Sequence, residues 1–165
     1  MNIKRTVKHF LTSRAHVRRA FPRSTLNAIE KAIKTSEAAH VGEIRFAVEG
    51  ALDGAPLFHG HSARERAIEL FSQLHVWDTQ HNNGLLIYVL LADRAVEIVA
   101  DRGINAKVGA PEWHKICQQM EAAFRQSNFE AGVLQGVQAV TQHLVAHFPA
   151  DHSSSNELPD QPVVL

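Results

Sequence analysis

Residues 75–104, HVWDTQHNNGLLIYVLLADRAVEIVADRGI, constrain the fold of this chain more than any other stretch. Residues 85–91 form an apolar run of strand length, and Ala95–Ala100 is another. Only Ala92, Asp93 and Arg94 separate them, and so short a connection forces antiparallel pairing. The end of the second strand then lies beside the start of the first. This predicts that Asp101 and Arg102 stand next to Asn82 and Asn83, and it makes that corner the first candidate for chemistry.

The rest of the chain reads as helices around this hairpin. Residues 1–20 carry Ile3, Val7, Phe10, Leu11 and Val17 at loosely helical spacing, and Pro22 ends the run. This segment is either a helix packed on the domain or a basic amphipathic arm. Ser24 or Thr25 caps a second helix to about His40, with Leu26, Ile29 and Ile33 on its apolar face. Glu43–Glu49 alternates, with Ile44, Phe46 and Val48 on one side and Glu43, Arg45 and Glu49 on the other, as in a strand. Residues 50–61 are a glycine-containing loop with an extended piece at 56–59. Ser62 caps a helix over 63–74 with Ala67, Ile68, Phe71 and Leu74 inward. Pro111 opens another helix, whose buried stripe is Trp113, Ile116, Cys117, Met120 and Phe124. Phe129–His147 is the last helix, and Gly132 and Gly136 on its stripe imply a close neighbour. A helix between the first strand and the hairpin implies a parallel pair. The expected fold is therefore α/β, a three-layer α/β/α sandwich with a small mixed sheet that includes a β-hairpin. The expected organisation is a basic N-terminal helix or arm at 1–23, one domain at 24–149, and a flexible C-terminal tail at 150–165.

Composition excludes several classes. Formal net charge is zero over 165 residues, so the whole molecule has no general attraction to nucleic acid. Charge is uneven, however: residues 1–23 hold Lys4, Arg5, Lys8, Arg14, Arg18, Arg19 and Arg23 and no acid. A single cysteine, Cys117, rules out an internal disulfide framework, and its place in an apolar stripe marks it as a small buried hydrophobe. No apolar run approaches the roughly 20 residues needed to span a bilayer, and the basic start lacks a secretory apolar region. The expected location is cytoplasmic, with peripheral membrane contact through 1–23 as an option.

Three polar constellations stand out. In the hairpin corner, Asn82, Asn83 and Asp101 supply amide and carboxylate oxygens suited to calcium or magnesium, and Arg102 suits an anion. The same residues are also turn formers. Glu37, His40 and Glu43 make a carboxylate–imidazole–carboxylate set at a helix–strand turn, which either binds a metal or staples the turn. His75, Trp77, Asp78 and His81 lead into the hairpin rim, but no nucleophile motif accompanies the His–Asp pair. His59 with His61, and His143 with His147, have metal-compatible spacings without a nearby cysteine or carboxylate at zinc-site spacing. P-loop, GxGxxG, CxxC and GxSxG motifs are absent.

The run HNNGLLIYVLLADRAVEIVADRGI, then Trp113, FEAGVLQGVQAV and the closing HFP resemble the TPM-domain family, whose founders include thylakoid-lumen phosphatase-like proteins. SEAAHVGEIRFAVEG resembles the entry to the first strand in its short bacterial branch. The resemblance implies the α/β/α sandwich, and it carries over Asn83, Asp101 and Gly103 at the corner and Trp113 as a structural residue. It also implies acid phosphatase activity or calcium binding, as described for some relatives, and a partner of the membrane TPM or LemA-like type. The expected function is thus a binding or accessory module for a divalent cation or an anionic partner. The rival is a weak phosphomonoesterase in which a metal at Asp101 orients phosphate, Arg102 counters its charge, and Asp78 or His75 handles protons.

Overall fold

The computed structural model describes residues 3–52, 54, 57, 59–151 and 156–165. Among these the elements run α1 (Ile3–Leu11), α2 (Arg14–Ala20), α3 (Arg23–Ser36), β1 (Glu43–Glu49), α4 (Ala63–Gln73), β2 (Gly84–Leu90), β3 (Ala95–Ala100), α5 (Arg102–Val108), α6 (Ala110–Arg125), α7 (Phe129–His147) and β4 (Val163–Val164). The sheet order is β3-β2-β1-β4. The predicted hairpin is present, with Leu85 opposite Ala100 and Leu90 opposite Ala95. β1 and β2 are parallel, Glu43 facing Gly84 and Glu49 facing Leu90, as a helical crossover between them requires.

Strand periodicity divides the core. Ile44, Phe46 and Val48 of β1 join Leu85, Ile87 and Val89 of β2 against α3, α6 and α7, through Ile29, Ile33, Met120 and Val140 among others. Ala47, Leu86, Tyr88 and Leu90 face the other way, toward Ala67 and Leu70 of α4. The three-layer sandwich expected from the sequence is therefore present. Each fully buried large aliphatic contributes roughly 1.5–3 kcal/mol relative to exposure. The two glycines of α7 serve the predicted close approach. A Cβ on Gly132 would sit 2.8 Å from Phe124 Cε1, and one on Gly136 would overlap Met120 Sδ, so α6 packs tightly on α7. Cys117 is buried in this layer, and burial pushes its thiol up to about 12.

Three expectations need correction. The first helix is two, because Thr12 and Ser13 leave helical geometry and His16 caps back onto Ser13. A helix missed by the sequence reading, α5, fills residues 102–108 between the hairpin and Pro111. Gly109 at φ 86 then redirects the chain into α6. Glu43, Arg45 and Glu49 alternate with the apolar residues as predicted, and every residue of β1 is buried. The cause of that burial is the third correction. Residues 156–165 do not trail away as a tail, because they lie along β1, with Ala47 opposite Val163, Val48 opposite Val164, and Leu158 buried in the α4 layer. A serine-, proline- and acid-containing composition suggests disorder, but it is not decisive where backbone groups can pair with an open strand edge. The extended piece expected at 56–59 falls largely outside the described residues.

Candidate functional site

The parallel pairing and the hairpin bring the sequence-predicted constellations to one end of the sheet, where β1 and β2 start and β3 stops. Asp101 caps α5: its Oδ1 accepts from the Arg102 N–H at 2.7 Å, while its own N–H closes the ladder on Gly84 O at 2.9 Å. Arg102 Nε donates to Asn82 Oδ1 at 3.1 Å, and the Ile104 N–H donates to Asn82 O. Asn82 itself takes φ 51, a left-handed geometry that asparagine tolerates. A Cβ on Gly103 would stand 2.5 Å from Asn82 O and 2.7 Å from His81 O, so only glycine lets the two turns nest. Asn83 is fully buried and its Nδ2 donates to Val41 O at 2.9 Å, tying β2 to the entry of β1. Two acceptors here, Asn83 Oδ1 and Asp101 Oδ2, are buried without a hydrogen-bond partner. They are the donors a hard cation would use, and Arg102 already occupies the third oxygen, Asn82 Oδ1.

The Glu37, His40 and Glu43 set separates. Glu43 Oε1 accepts from the Glu157 N–H at 2.9 Å and Oε2 from the Leu158 N–H at 3.2 Å. Burial raises its carboxyl, against the lowering effect of those two N–H groups. Glu37 is pushed up to about 8, first by burial, then by the negative charges of Asp160 and Glu43 and a hydrogen bond with Asp160. His40 is buried elsewhere, with Nε2 3.2 Å from Ser36 Oγ, and burial lowers its pKa. The acid set is therefore Glu37, Glu43 and Asp160, and Asp160 arrives from the segment the sequence reading set aside as a tail.

His75 and Asp78 are exposed. His75 sits at φ 53 with its ring 6.0 Å from Trp77, and no described hydrogen bond links either residue to Asp101. His61 lies 3.5 Å from Glu69, and His143 meets the edge of Trp113 at 5.4 Å. Among the described residues, no group of three or more His, Cys, Asp and Glu side chains is arranged to hold a metal ion.

The opposite end of the sheet, at the carboxyl ends of β1 and β2, holds a polar network that sequence reasoning missed. Arg66 grips both oxygens of Glu49 at 2.9 and 3.1 Å, and Tyr88 Oη donates to Glu49 Oε2 at 2.6 Å. Burial and the Glu49 charge drive the Tyr88 phenol far above its ordinary pKa. Arg5 Nε and Nη2 hold Asp93 at 2.8 to 3.1 Å, and His9 Nε2 stands 3.0 Å from Asp93 Oδ1. Burial alone would raise the Asp93 pKa, but the hydrogen bonds from Arg5 and His9 outweigh it and hold it below the usual value. The Leu52 N–H donates to His9 Nδ1 at 2.9 Å, so Nε2 carries the ring proton. Both His9 nitrogens and both Glu49 oxygens are thus engaged, which leaves neither as a free base. A cleft of about 730 Å³, lined in part by His9, Arg14, Arg18, Glu49, Arg66 and Leu165, opens over this network. The available signal was the predicted parallel pair, because ligand crevices in α/β sheets open at the carboxyl ends of the strands. Arg5, His9 and Arg66 reach this end from distant elements and carry no local signature.

The same contacts orient α1. At about 100° per residue, Ile3, Val7, Phe10 and Leu11 share one stripe, and Arg5 and His9 lie opposite. The polar side is the docked one. Ile3, Phe10 and Leu11 are 70%, 71% and 70% exposed and Val7 is 50% exposed, while His9 is 2% exposed. No described helix is long and apolar enough to cross a membrane.

A family model described as the TPM domain matches residues 18–143. The NMR structure of the BA42 protein from the psychrophilic bacterium Bizionia argentinensis is similar, at 29% identity and TM-score 0.74, covering 86% of this chain and 93% of that one. The solution structure of the N-terminal domain of a protein from P. gingivalis shares the fold, at 22% identity and TM-score 0.58, with 74% and 76% of the two chains covered. No curated protein matches the chain.

Proposed function

This chain belongs to the TPM-domain family, and from that premise we propose that it is a binding module that docks on an anionic membrane surface through α1. The observation that carries the reading is the inverted seating of that helix. Arg5 and His9 are spent on Asp93, and a nine-residue helix turns four large apolar side chains to solvent. A stripe of this kind is stable where it meets an apolar phase, and short interfacial helices place it at the headgroup boundary. Lys4 and Lys8 flank the stripe, and Arg14, Arg18, Arg19 and Arg23 follow with no acid through residue 23. Near an anionic leaflet each such cation adds about 1 kcal/mol. The engaged state of His9 and Glu49, and the exposure of His75 and Asp78, favour binding over phosphate-ester hydrolysis.

Co-sedimentation with vesicles tests this. The chain is expected to pellet with phosphatidylglycerol-containing vesicles but not with pure phosphatidylcholine, and added salt should weaken the association. Phe10→Glu with Leu11→Glu should reduce binding at least tenfold. Equal pelleting of parent and variant, or none with either lipid, overturns the reading.

A second reading has its own observation: the two unpartnered oxygens of Asn83 and Asp101 favour a divalent cation, calcium or magnesium, in the hairpin corner.

A further inference from the structure

We propose that the outer edge of β1, with the buried side chains of Glu43 and Arg45, is a recognition groove for an extended peptide of a partner protein, one that ends in aliphatic residues and is neutral or basic where this chain has Asp160. In the structure residues 156–165 fill that groove in cis, so the chemistry of the fit can be read directly. Glu43, 4% exposed, accepts two successive backbone N–H groups, those of Glu157 and Leu158. Arg45, 6% exposed, donates from Nη1 to the carbonyls of Pro159 and Gln161. The ladder then takes over at Val163 and Val164, and the Leu165 N–H donates to Val48 O at 2.9 Å. A carboxylate aimed at N–H groups and a guanidinium aimed at carbonyls read a main chain, not particular side chains. That is how strand-addition grooves gain affinity. Among the groove-bound residues only Leu158 is buried, and Val164 and Leu165 are about half exposed.

The cis occupant is a poor match to this groove in one respect. It brings Asp160 against Glu37 and sets Glu157 beside Glu43, so carboxylates crowd where the segment crosses the start of β1. Glu37 Oε1 is buried there without a partner, and so is Arg45 Nε. The ladder holding the segment is two residues long. A segment with the same backbone path but without the acid at position 160 keeps every main-chain contact and removes the charge that, after burial, helps force a proton onto Glu37, at the cost of Asp160's attraction to Arg45. The groove-filling residues lie beyond residues 18–143, the stretch that the family model matches.

The experiment uses the full chain and fluorescent decapeptides with the sequence of residues 156–165, with or without Asp160→Asn. The parent chain should bind weakly, because its own segment competes at millimolar effective concentration. A full-length Leu158→Asp, Val163→Pro variant, with the cis contacts weakened, should bind the native peptide at least tenfold more tightly than the parent. It should bind the Asp160→Asn peptide at least threefold more tightly again. Adding Arg45→Met should abolish both. Failure of a folded variant to bind, or binding indifferent to Arg45→Met, overturns the proposal. If the variant does not fold, hydrogen exchange on the parent decides. The Glu157, Leu158 and Leu165 amides should exchange at least a hundredfold faster than those of β2, and equal protection overturns the proposal.

Discussion

Nε2 of His9 lies 3.0 Å from Oδ1 of Asp93, a contact that spans 84 residues and seats the first helix polar side down on the hairpin turn. Arg5 completes the grip and also donates to His61 O at 2.6 Å. The turn that the sequence presents as a bare connection is thus the anchor of the N-terminal segment.

Asp93→Ala should therefore loosen α1 before it affects the sheet. Removing an acceptor of charged hydrogen bonds costs about 1–3 kcal/mol, and tryptic cleavage at Lys4 and Lys8 should accelerate at least tenfold. The pH dependence has a definite sign. Asp93 is held below its ordinary pKa of 3.8, so its contribution is present above that value and is lost as pH falls through the lower folded value. Urea melts of the parent should weaken below about pH 4, and the variant should lack that part of the loss.

Glu37 gives the opposite sign. Its folded pKa is raised from 4.5 to about 8, so the native state holds a proton that the unfolded chain has released. Stability falls as pH rises from 4.5 and levels off above about 8. Glu37→Gln should flatten this slope and stabilise the chain at pH 8.5 by about 1–2 kcal/mol, a figure reduced for solvent screening at a partly exposed group. Denaturant melts at pH 5 and pH 8.5 measure both values.

Two glycines should respond differently to the same change. A Cβ on Gly84 would overlap the backbone oxygen of Val76, which cannot move without displacing the chain before β2. Gly84→Ala should cost about 2–4 kcal/mol in urea denaturation. On Gly136 the overlap is with Met120 Sδ, the end of a flexible side chain, and the gain in helix propensity is about 1 kcal/mol. Gly136→Ala should fall within about 1 kcal/mol of the parent.

Calcium or magnesium should move the amide resonances of Asn83, Asp101 and Arg102 saturably if the unpartnered oxygens of the corner hold a cation, and Asp101→Asn should remove the response. Unmoved resonances at millimolar metal would leave Asp101 as a helix cap alone.

Local patterns account for what was legible. The alternation over Glu43–Glu49, the short connection before Ala95–Ala100 and the stripe of α6 each reflect a period of two or 3.6 residues, and each appeared where expected. The nesting of Arg102 on Asn82 followed from the hairpin register alone, because antiparallel pairing puts its two ends together. Arg66 with Glu49, Arg5 with Asp93 and Asp160 with Glu37 were not legible, because no periodicity links residues from different elements.

By itself the sequence determined most of the secondary structure, the hairpin, the parallel pair and the two helix-covered faces of the sheet, since these depend on backbone sterics and on burying apolar stripes. Only the tertiary structure decided where charge is buried and which side of α1 faces out. It also decided that residues 156–165 close the open edge of β1. Those outcomes depend on whether a donor from one element reaches an acceptor on another, and that is a property of three-dimensional placement, not of spacing along the chain.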